Sequence, residues 1–155
     1  MQRPDRPVDE ACLFCRIIAG AVPCARVYED DAVLAFLDIN PVRPGHTLVV
    51  LKGHYPTLLD VPLEEAEGLF AALKTVAAAL RAELRAGGFH CLQNNFSVAG
   101  QTVFHAHWHL IPRAAQDGLE LWTGRPYKDE AQMRQLAEAL ASRAASGFSG
   151  GTHER

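Results

Sequence analysis

Three histidines alternate with apolar residues in one short segment, where Ala106 and Trp108 separate His105, His107 and His109. Side chains two residues apart lie on the same face of a β-strand, so the three imidazoles are predicted to share one face. The rise per residue places neighbouring imidazoles about 7 Å apart and the outer two about 14 Å apart. The alternative is a half-exposed strand whose histidines face water and have no catalytic or binding role.

A face of this kind has two functional interpretations, because histidine binds metal ions and also acts as a nucleophile or an acid–base group. A separation of about 14 Å excludes one ion shared by all three rings on a straight strand. The spacing therefore favours a nucleophile for a phosphoryl or acyl group, flanked by supporting groups.

The loop directly before this segment contains Gly100, Gln101 and Thr102. Backbone and side-chain donors beside a nucleophilic strand are what the oxygens of an anionic substrate require. The same three residue types also suit an ordinary turn. The loop is therefore evidence for anion binding only because it lies beside the histidines.

Composition limits the function classes. The chain has 155 residues, 48% hydrophobic and 21% charged, with a formal net charge of -3, which predicts one globular domain without a basic nucleic-acid surface. We expect a cytoplasmic protein, because the N-terminus lacks the apolar core of a secretory signal and no apolar run approaches the ~20 residues of a membrane span. Residues 1–11 are predicted to be a flexible arm, 12–145 the domain and 146–155 a flexible tail.

Periodicity predicts the elements that must position these residues. Strands are expected over residues 25–28, 32–37, 47–51, 89–94 and 103–111, the last ended by Pro112. A short helix is expected over 12–20, a long one from Pro62 to Gly87-Gly88 and a terminal one over 133–143. The long helix carries an apolar stripe of Leu69, Phe70, Leu73, Val76, Ala77, Leu80 and Leu84. Most connections are too short for βαβ crossovers, which favours an α+β fold with an antiparallel sheet.

The segment from His105 to Ile111 matches the signature His-φ-His-φ-His-φ-φ, in which φ is apolar, of the histidine triad (HIT) family of nucleotide hydrolases and transferases. Residues 12–113 resemble its Hint-like branch in order and spacing, through the segments CLFCRIIAG, VYED, AFLDI, PGHTLV and GQTVF. The resemblance implies the HIT fold, a five-stranded antiparallel sheet with one long helix and shorter helices, as a homodimer. Its interface would involve the long helix and the fourth strand.

The resemblance also assigns catalytic roles. His107 corresponds to the nucleophile that attacks the α-phosphorus and forms a nucleotidyl-histidine intermediate, which water then hydrolyses. His109 corresponds to the histidine that contacts the phosphate, and His46 to the one that supports the triad through hydrogen bonds.

Further positions match nucleotide-binding residues of the family. Gln101 and Thr102 are implied to bind phosphate oxygens or the leaving group, Asp38 to hold the ribose hydroxyls and Asn94 to make a nearby polar contact. The apolar slot around the base is implied to contain Phe14, Ile17 and Ile39. Thr102 stands where many relatives have Ser. Phe96 stands where relatives often have Gly, which concerns the path of its loop. The segment after Pro112 does not resemble the usual ending of the branch, so the leaving-group preference is the property that the resemblance transfers least.

Cys12 and Cys15 have the spacing of half a tetrahedral zinc site, which requires two more ligands. Bacterial relatives of this type hold a structural Zn²⁺ through two cysteines, a histidine after the third strand and the first triad histidine. By that resemblance the ligands are Cys12, Cys15, His54 and His105. The alternative is that the two cysteines pack as reduced thiols, since the family includes zinc-free members.

The expected function is hydrolysis of a purine nucleotide conjugate at its α-phosphate, of the adenosine 5′-phosphoramidate type. One alternative is a dinucleoside polyphosphate hydrolase or phosphorylase, which shares the nucleophile but has a different leaving group. The other is a nucleotide-binding regulatory protein with little catalysis. The expected partners are a purine nucleotide and a second copy of the chain, without nucleic acid or membrane.

Overall fold

Five antiparallel strands form the centre of the computed structural model, which describes residues 6–120 and 124–147. They are β1 (Arg26–Glu29), β2 (Val33–Leu37), β3 (Thr47–Leu51), β4 (Gly88–Gln93) and β5 (His107–Arg113). Their order in the sheet is β1-β2-β3-β5-β4. The helices are α1 (Leu13–Ile18), α2 (Ala66–Leu84) and α3 (Glu130–Ala145). The predicted α+β class with a five-stranded antiparallel sheet is confirmed.

Both faces of the sheet are covered, which explains why β2 and β3 are continuous apolar runs. On one face, side chains of β2, β3 and β5 pack against the apolar stripe of α2. On the other face, Leu34, Phe36, Leu48 and Val50 pack against α1. Alternate residues of one strand therefore enter two different clusters.

The fifth strand differs from its prediction at both ends. It begins at His107 rather than Val103, because the His105 N–H donates to Val103 O and the Ala106 N–H donates to Tyr55 O outside the ladder. It continues through Pro112 to Arg113. β3 pairs with β5 only as far as Leu110, so Pro112 has a strand neighbour on one side and its missing N–H is tolerated there.

The long helix is confirmed, with different ends. Pro62 precedes a 3-10 turn over Leu63–Glu65, and α2 then begins at Ala66. It ends at Leu84 because Arg85 adopts a left-handed conformation (φ 50°), while Gly88 already belongs to β4. Two members of the predicted stripe lie outside the core of the chain: Phe70 is 66% exposed and Leu84 is 44% exposed.

Residues 6–11, within the predicted arm, contact the domain at specific points. The Arg6 guanidinium forms two hydrogen bonds with the Glu65 carboxylate, at 2.8 and 2.9 Å, and a further one with Asp31 O. The His54 N–H donates to Pro7 O at 2.7 Å. This segment thus connects the start of α2 with the loop that follows β3.

The chain falls into two compact units that divide after Asp117. The second contains α3, which begins where the Asp129 carboxylate accepts from the Gln132 N–H at 2.8 Å and which exposes all of its residues. The assignment of residues 12–145 to one domain stays a prediction. The first five residues of the predicted arm and residues 148–155 of the predicted tail lie outside the described residues. No helix within residues 6–120 and 124–147 has the length and apolar character of a membrane span.

Candidate functional site

His107 is the first residue of β5, and its buried side chain lies on the α1 face of the sheet, opposite Val50. Its Nδ1 is 2.7 Å from His105 O. A carbonyl oxygen only accepts, so Nδ1 carries the proton and Nε2 keeps its lone pair. Burial lowers the pKa of His107. The ring is therefore a neutral imidazole with a nucleophilic nitrogen at Nε2.

His109 and His46 form a hydrogen-bond chain beside it. His46 Nε2 and His109 Nδ1 are 2.9 Å apart, and the Val42 N–H donates to His46 Nδ1 at 3.2 Å. Because His46 Nδ1 accepts, its proton lies on Nε2 and is donated to His109 Nδ1. The proton of a neutral His109 then lies on Nε2, where it can be donated to an anion.

The electrostatics of the chain favour these neutral forms. Burial, followed by the neighbouring His107 and His46, lowers the pKa of His109 to about 4. Burial also lowers the pKa of His46, although the Asp38 carboxylate, 3.7 Å from its Nδ1, acts in the opposite direction. At neutral pH both rings are therefore uncharged and act as hydrogen-bond donors and acceptors.

A cavity of about 350 Å³ opens beside these rings, within the range of about 300–1,000 Å³ of small-molecule pockets. Its polar wall consists of His107, His109, Asp38, Thr102 and Cys24. The rest is apolar: Leu13, Phe14, Ile17, Val22, Pro23, Phe36, Leu37, Ile39, Leu48 and Val103. A nucleophilic imidazole, a carboxylate and an apolar slot thus face one space.

The structure brings most of the predicted site residues to this cavity. Asp38, Thr102, Phe14, Ile17 and Ile39 line it with His107 and His109, and His46 lies directly behind His109. Several lining residues were not predicted, notably Cys24, Val22 and Leu48. Nothing in their residue types distinguishes them from core residues.

Gln101 and Asn94 do not line the cavity. The Gln101 amide is 2% exposed and fully occupied by the backbone: Nε2 donates to Pro56 O at 2.6 Å and Val103 O at 3.1 Å, and Oε1 accepts from Phe96 N–H. Gln101 therefore braces the loop that carries Thr102, and a contact of its amide with a phosphate stays a prediction. Asn94 is half-buried beside Gly100.

A second cluster, formed by Cys12, Cys15, His54 and His105, lies at the start of α1. Their four ligand atoms all lie within 4.8 Å of one another. His105 Nδ1 is 3.6 Å from both cysteine sulfurs, and His54 Nδ1 is 3.4 Å from Cys15 Sγ. In a tetrahedral zinc site, bond lengths of about 2.3 Å to sulfur and 2.0–2.1 Å to nitrogen imply S···N distances near 3.6 Å.

The groups around this cluster also suit a cation. His105 Nε2 donates to Leu51 O at 2.8 Å, which leaves the Nδ1 lone pair directed at the sulfurs. His54 Nε2 is 3.8 Å from the Asp9 carboxylate. Burial raises the pKa of the Cys15 thiol to about 11, and a bound dication favours the thiolate. The four residues therefore fit a zinc ion in donor type, spacing and surroundings.

Comparison with known protein families matches residues 19–116 to the HIT domain. "Protein hit" of Bacillus subtilis is 44% identical over 141 residues, covering 88% of this chain and 97% of that protein. "Adenosine 5'-monophosphoramidase hnt1" of Schizosaccharomyces pombe is 34% identical, covering 86% and 98%. "Adenylylsulfatase HINT3" of Arabidopsis thaliana is 41% identical, covering 70% of this chain and 55% of that protein.

The chain is also similar to solved structures of HIT family proteins. A member of the HIT family from Bacillus subtilis has a TM-score of 0.82 and 39% identity, covering 92% of this chain and all of that one. A Zn-bound histidine triad family protein from Mycobacterium smegmatis has a TM-score of 0.67 and 39% identity, covering 88% and 97%.

The low pKa of His109 predicts how its protonation and the free energy of unfolding depend on pH. The unfolded imidazole takes up a proton around pH 6.5, whereas the native one does so only near pH 4. Between these values the unfolded chain binds more protons, so this group's contribution to the free energy of unfolding is complete above about pH 6.5 and is lost as pH falls towards 4. We expect NMR of ¹⁵N-histidine-labelled protein to show His109 neutral at pH 5.

The matched variant is His109→Asn, for which the free energy of unfolding should fall less steeply between about pH 6.5 and 4 than in the wild-type chain. Protonation of His109 with a midpoint near pH 6.5 would contradict the prediction.

Proposed function

The chain belongs to the HIT domain family, and from that premise we propose that it hydrolyses purine nucleotide conjugates at the α-phosphate through a nucleotidyl-histidine intermediate. The observation that carries the proposal is the His107 Nε2 lone pair at the wall of a nucleotide-sized cavity. Relatives named for phosphoramidate and adenylyl-sulfate hydrolysis support the same reaction centre.

In the proposed first step His107 Nε2 bonds to the α-phosphorus, and the bond from phosphorus to the leaving group breaks. With a phosphoramidate, the departing amine takes one proton from solvent in the open cavity. The imidazole keeps its proton on Nδ1, where it is hydrogen-bonded to His105 O. The ring therefore carries the positive charge of the intermediate close to the phosphate. Water then attacks phosphorus, the N–P bond breaks, and the nucleoside monophosphate and one proton are released.

The other residues bind and orient. His109 would donate from Nε2 to a phosphate oxygen, and Thr102 would place its hydroxyl near the phosphate or leaving group. Asp38 would accept from the ribose hydroxyls, and Phe14, Ile17 and Ile39 would contact the base. Adenosine 5′-phosphoramidate is the favoured substrate, because the S. pombe relative carries that activity in its name.

His107→Ala should lower turnover of adenosine 5′-phosphoramidate by about 10⁴-fold or more, because it removes the nucleophile. Binding of AMP should change by less than about fivefold, since the remaining cavity wall is intact; this is the control for folding. In a rapid quench, the wild-type protein should gain the mass of one nucleotidyl group and the variant should not. A variant with wild-type turnover would exclude His107 as the nucleophile.

The same assay separates the alternative functions. Adenylyl sulfate and diadenosine polyphosphates, tested beside the phosphoramidate, compare three leaving groups on one adenylyl moiety. Higher kcat/KM for a polyphosphate would assign the dinucleoside activity instead. AMP binding without turnover of any of the three would assign a regulatory nucleotide-binding role.

We also propose that Cys12, Cys15, His54 and His105 hold one structural zinc ion. The support is the fit of the four ligand atoms and the Zn-bound relative from M. smegmatis. The ion would connect α1 to His54, in the loop after β3, and to His105. It would thereby hold in place the His105 carbonyl, which accepts from His107 Nδ1.

Metal analysis of protein purified without a His tag should find about one zinc per chain, the content of a closed four-ligand site. Cys15→Ser should lose the ion and unfold at a lower temperature. Cys91→Ser is the matched control for zinc content, because Cys91 lies on β4 and outside the cluster. Less than about 0.2 equivalents in the wild-type protein would contradict the site.

Finally, we propose that the chain forms a homodimer through β4 and the face of α2 that the single chain leaves exposed. β4 is an edge strand, and unpaired edges are natural pairing sites. Its Phe89 is 41% exposed and lies opposite Pro112, next to the Cys91–Leu110 pair on the α2 face.

Light scattering should give twice the chain mass of 16.9 kDa for the wild-type protein. Phe89→Lys should shift it to the monomer, because a charge at the centre of an apolar contact is costly. Val8→Lys is the control, because Val8 is 58% exposed and lies outside β4 and α2. A monomeric wild-type chain would refute the dimer.

A further inference from the structure

The first half of the loop that joins β2 to β3 lies near the triad, and its apolar side chains are not buried. Its residues 39–42 all have exposed side chains, and Ile39 is 99% exposed. Burial of apolar side chains therefore does not fix the position of residues 39–42. Polar contacts hold it instead, because the Asn40 N–H donates to Asp38 Oδ1 and the His46 N–H donates to Arg43 O.

One backbone group of this loop bears on the protons of His46 and, through His46, of His109. The Val42 N–H donates to His46 Nδ1, and this contact is what keeps the His46 proton on Nε2. The Asp38 carboxylate lies 3.7 Å from the same Nδ1 and would attract a proton there instead. The position of the Val42 amide therefore selects between two arrangements of His46.

An ion pair lies on the other side of the loop. Arg43 Nη1 lies 3.0 Å from Asp117 Oδ2. The Asp117 side chain is only 3% exposed, and it accepts from Arg113 Nε at 2.6 Å, from Arg113 Nη2 at 2.8 Å and from the Ala114 N–H. Arg113 is the last residue of β5, the strand that begins with His107.

We propose that Arg43 and Asp117 are positioning residues for the histidine triad: their ion pair fastens the β2–β3 loop to the end of β5 and so keeps the Val42 amide on His46. The proposal rests on the proposed function for its catalytic consequence. Because Asp117 is buried and held by a two-pronged guanidinium contact, it is a rigid anchor. The buried Asp117 carboxylate is shielded from salt, whereas the Arg43 side chain is 31% exposed.

Loss of the pair has a specific consequence. Without the Val42 amide, His46 moves its proton to Nδ1, towards Asp38, and turns an Nε2 lone pair to His109. His109 must then donate from Nδ1, which leaves its Nε2 as an acceptor. In that arrangement it offers a lone pair, not an N–H, to a phosphate oxygen.

Long-range ¹H–¹⁵N spectra of the ligand-free, ¹⁵N-histidine-labelled chain at about pH 7.5 test this directly, because they report which ring nitrogen carries the proton. The wild-type protein should show His46 and His109 protonated on Nε2 and His107 on Nδ1. Arg43→Ala should move His46 and His109 to Nδ1 protonation or to an exchanging mixture and leave His107 unchanged. In turnover of adenosine 5′-phosphoramidate, kcat should fall about tenfold, less than the 10²–10³ that follows complete loss of such a donor.

Three variants complete the test. Arg43→Lys keeps the charge and should restore much of kcat and the wild-type spectrum, and Asp117→Asn should behave like Arg43→Ala. Arg26→Ala breaks the more exposed Arg26–Glu29 pair and should change neither readout. If Arg43→Ala does not fold, Arg43→Gln removes the charge with a smaller loss of volume.

The outcomes separate this proposal from the proposed function. Wild-type protonation in a folded Arg43→Ala or Arg43→Gln chain overturns the positioning role, even if kcat falls, and so does a wild-type spectrum with His46 protonated on Nδ1. Altered protonation in a chain whose wild-type form turns over no nucleotide supports the positioning role and refutes the proposed function.

Discussion

The hydrogen bond from His107 Nδ1 to His105 O determines which nitrogen of the central histidine is free to react. The acceptor is a backbone carbonyl, and the turn before β5 fixes its direction: the His105 N–H is bonded to Val103 O, and the Ala106 N–H to Tyr55 O. A side-chain acceptor could rotate away, whereas this carbonyl cannot do so without unfolding the turn. The reactive nitrogen is therefore selected by the main chain.

Burial makes this selection effective, because a tautomer matters only for an uncharged ring. Burial is the main factor that lowers the pKa values of His46, His107 and His109. Hydrogen bonding compensates for the loss of hydration, since the rings donate to and accept from one another and the backbone. The same burial that would make a charged imidazole unstable thus prepares a neutral one with a defined donor and a defined acceptor.

Much of this could be predicted from sequence, where strong local signals exist. Alternation along residues 105–109 correctly separated the histidines from Ala106 and Trp108, which enter the α2 cluster. The turn that removes His105 from the strand could not be predicted, because it depends on Tyr55, which is distant in sequence. The contacts of Gln101 could not be predicted for a related reason: its residue type suits phosphate binding, but backbone groups of Pro56, Phe96 and Val103 occupy its amide. The contact of Val42 with His46 could not be predicted either, because a backbone N–H makes it and the residue type gives no indication of it.

The two faces of the sheet depend on one another through register. Val50 lies opposite His107 and Leu48 opposite His109 on the α1 face, while Trp108 and Leu110 pack on the α2 face. A slip of one residue between β3 and β5 would bring Trp108 to the cavity and bury the histidines against α2. The packing of Trp108 and Leu110 against α2 opposes that slip. The apolar core on the face away from the cavity therefore fixes the register that places each imidazole beside the cavity.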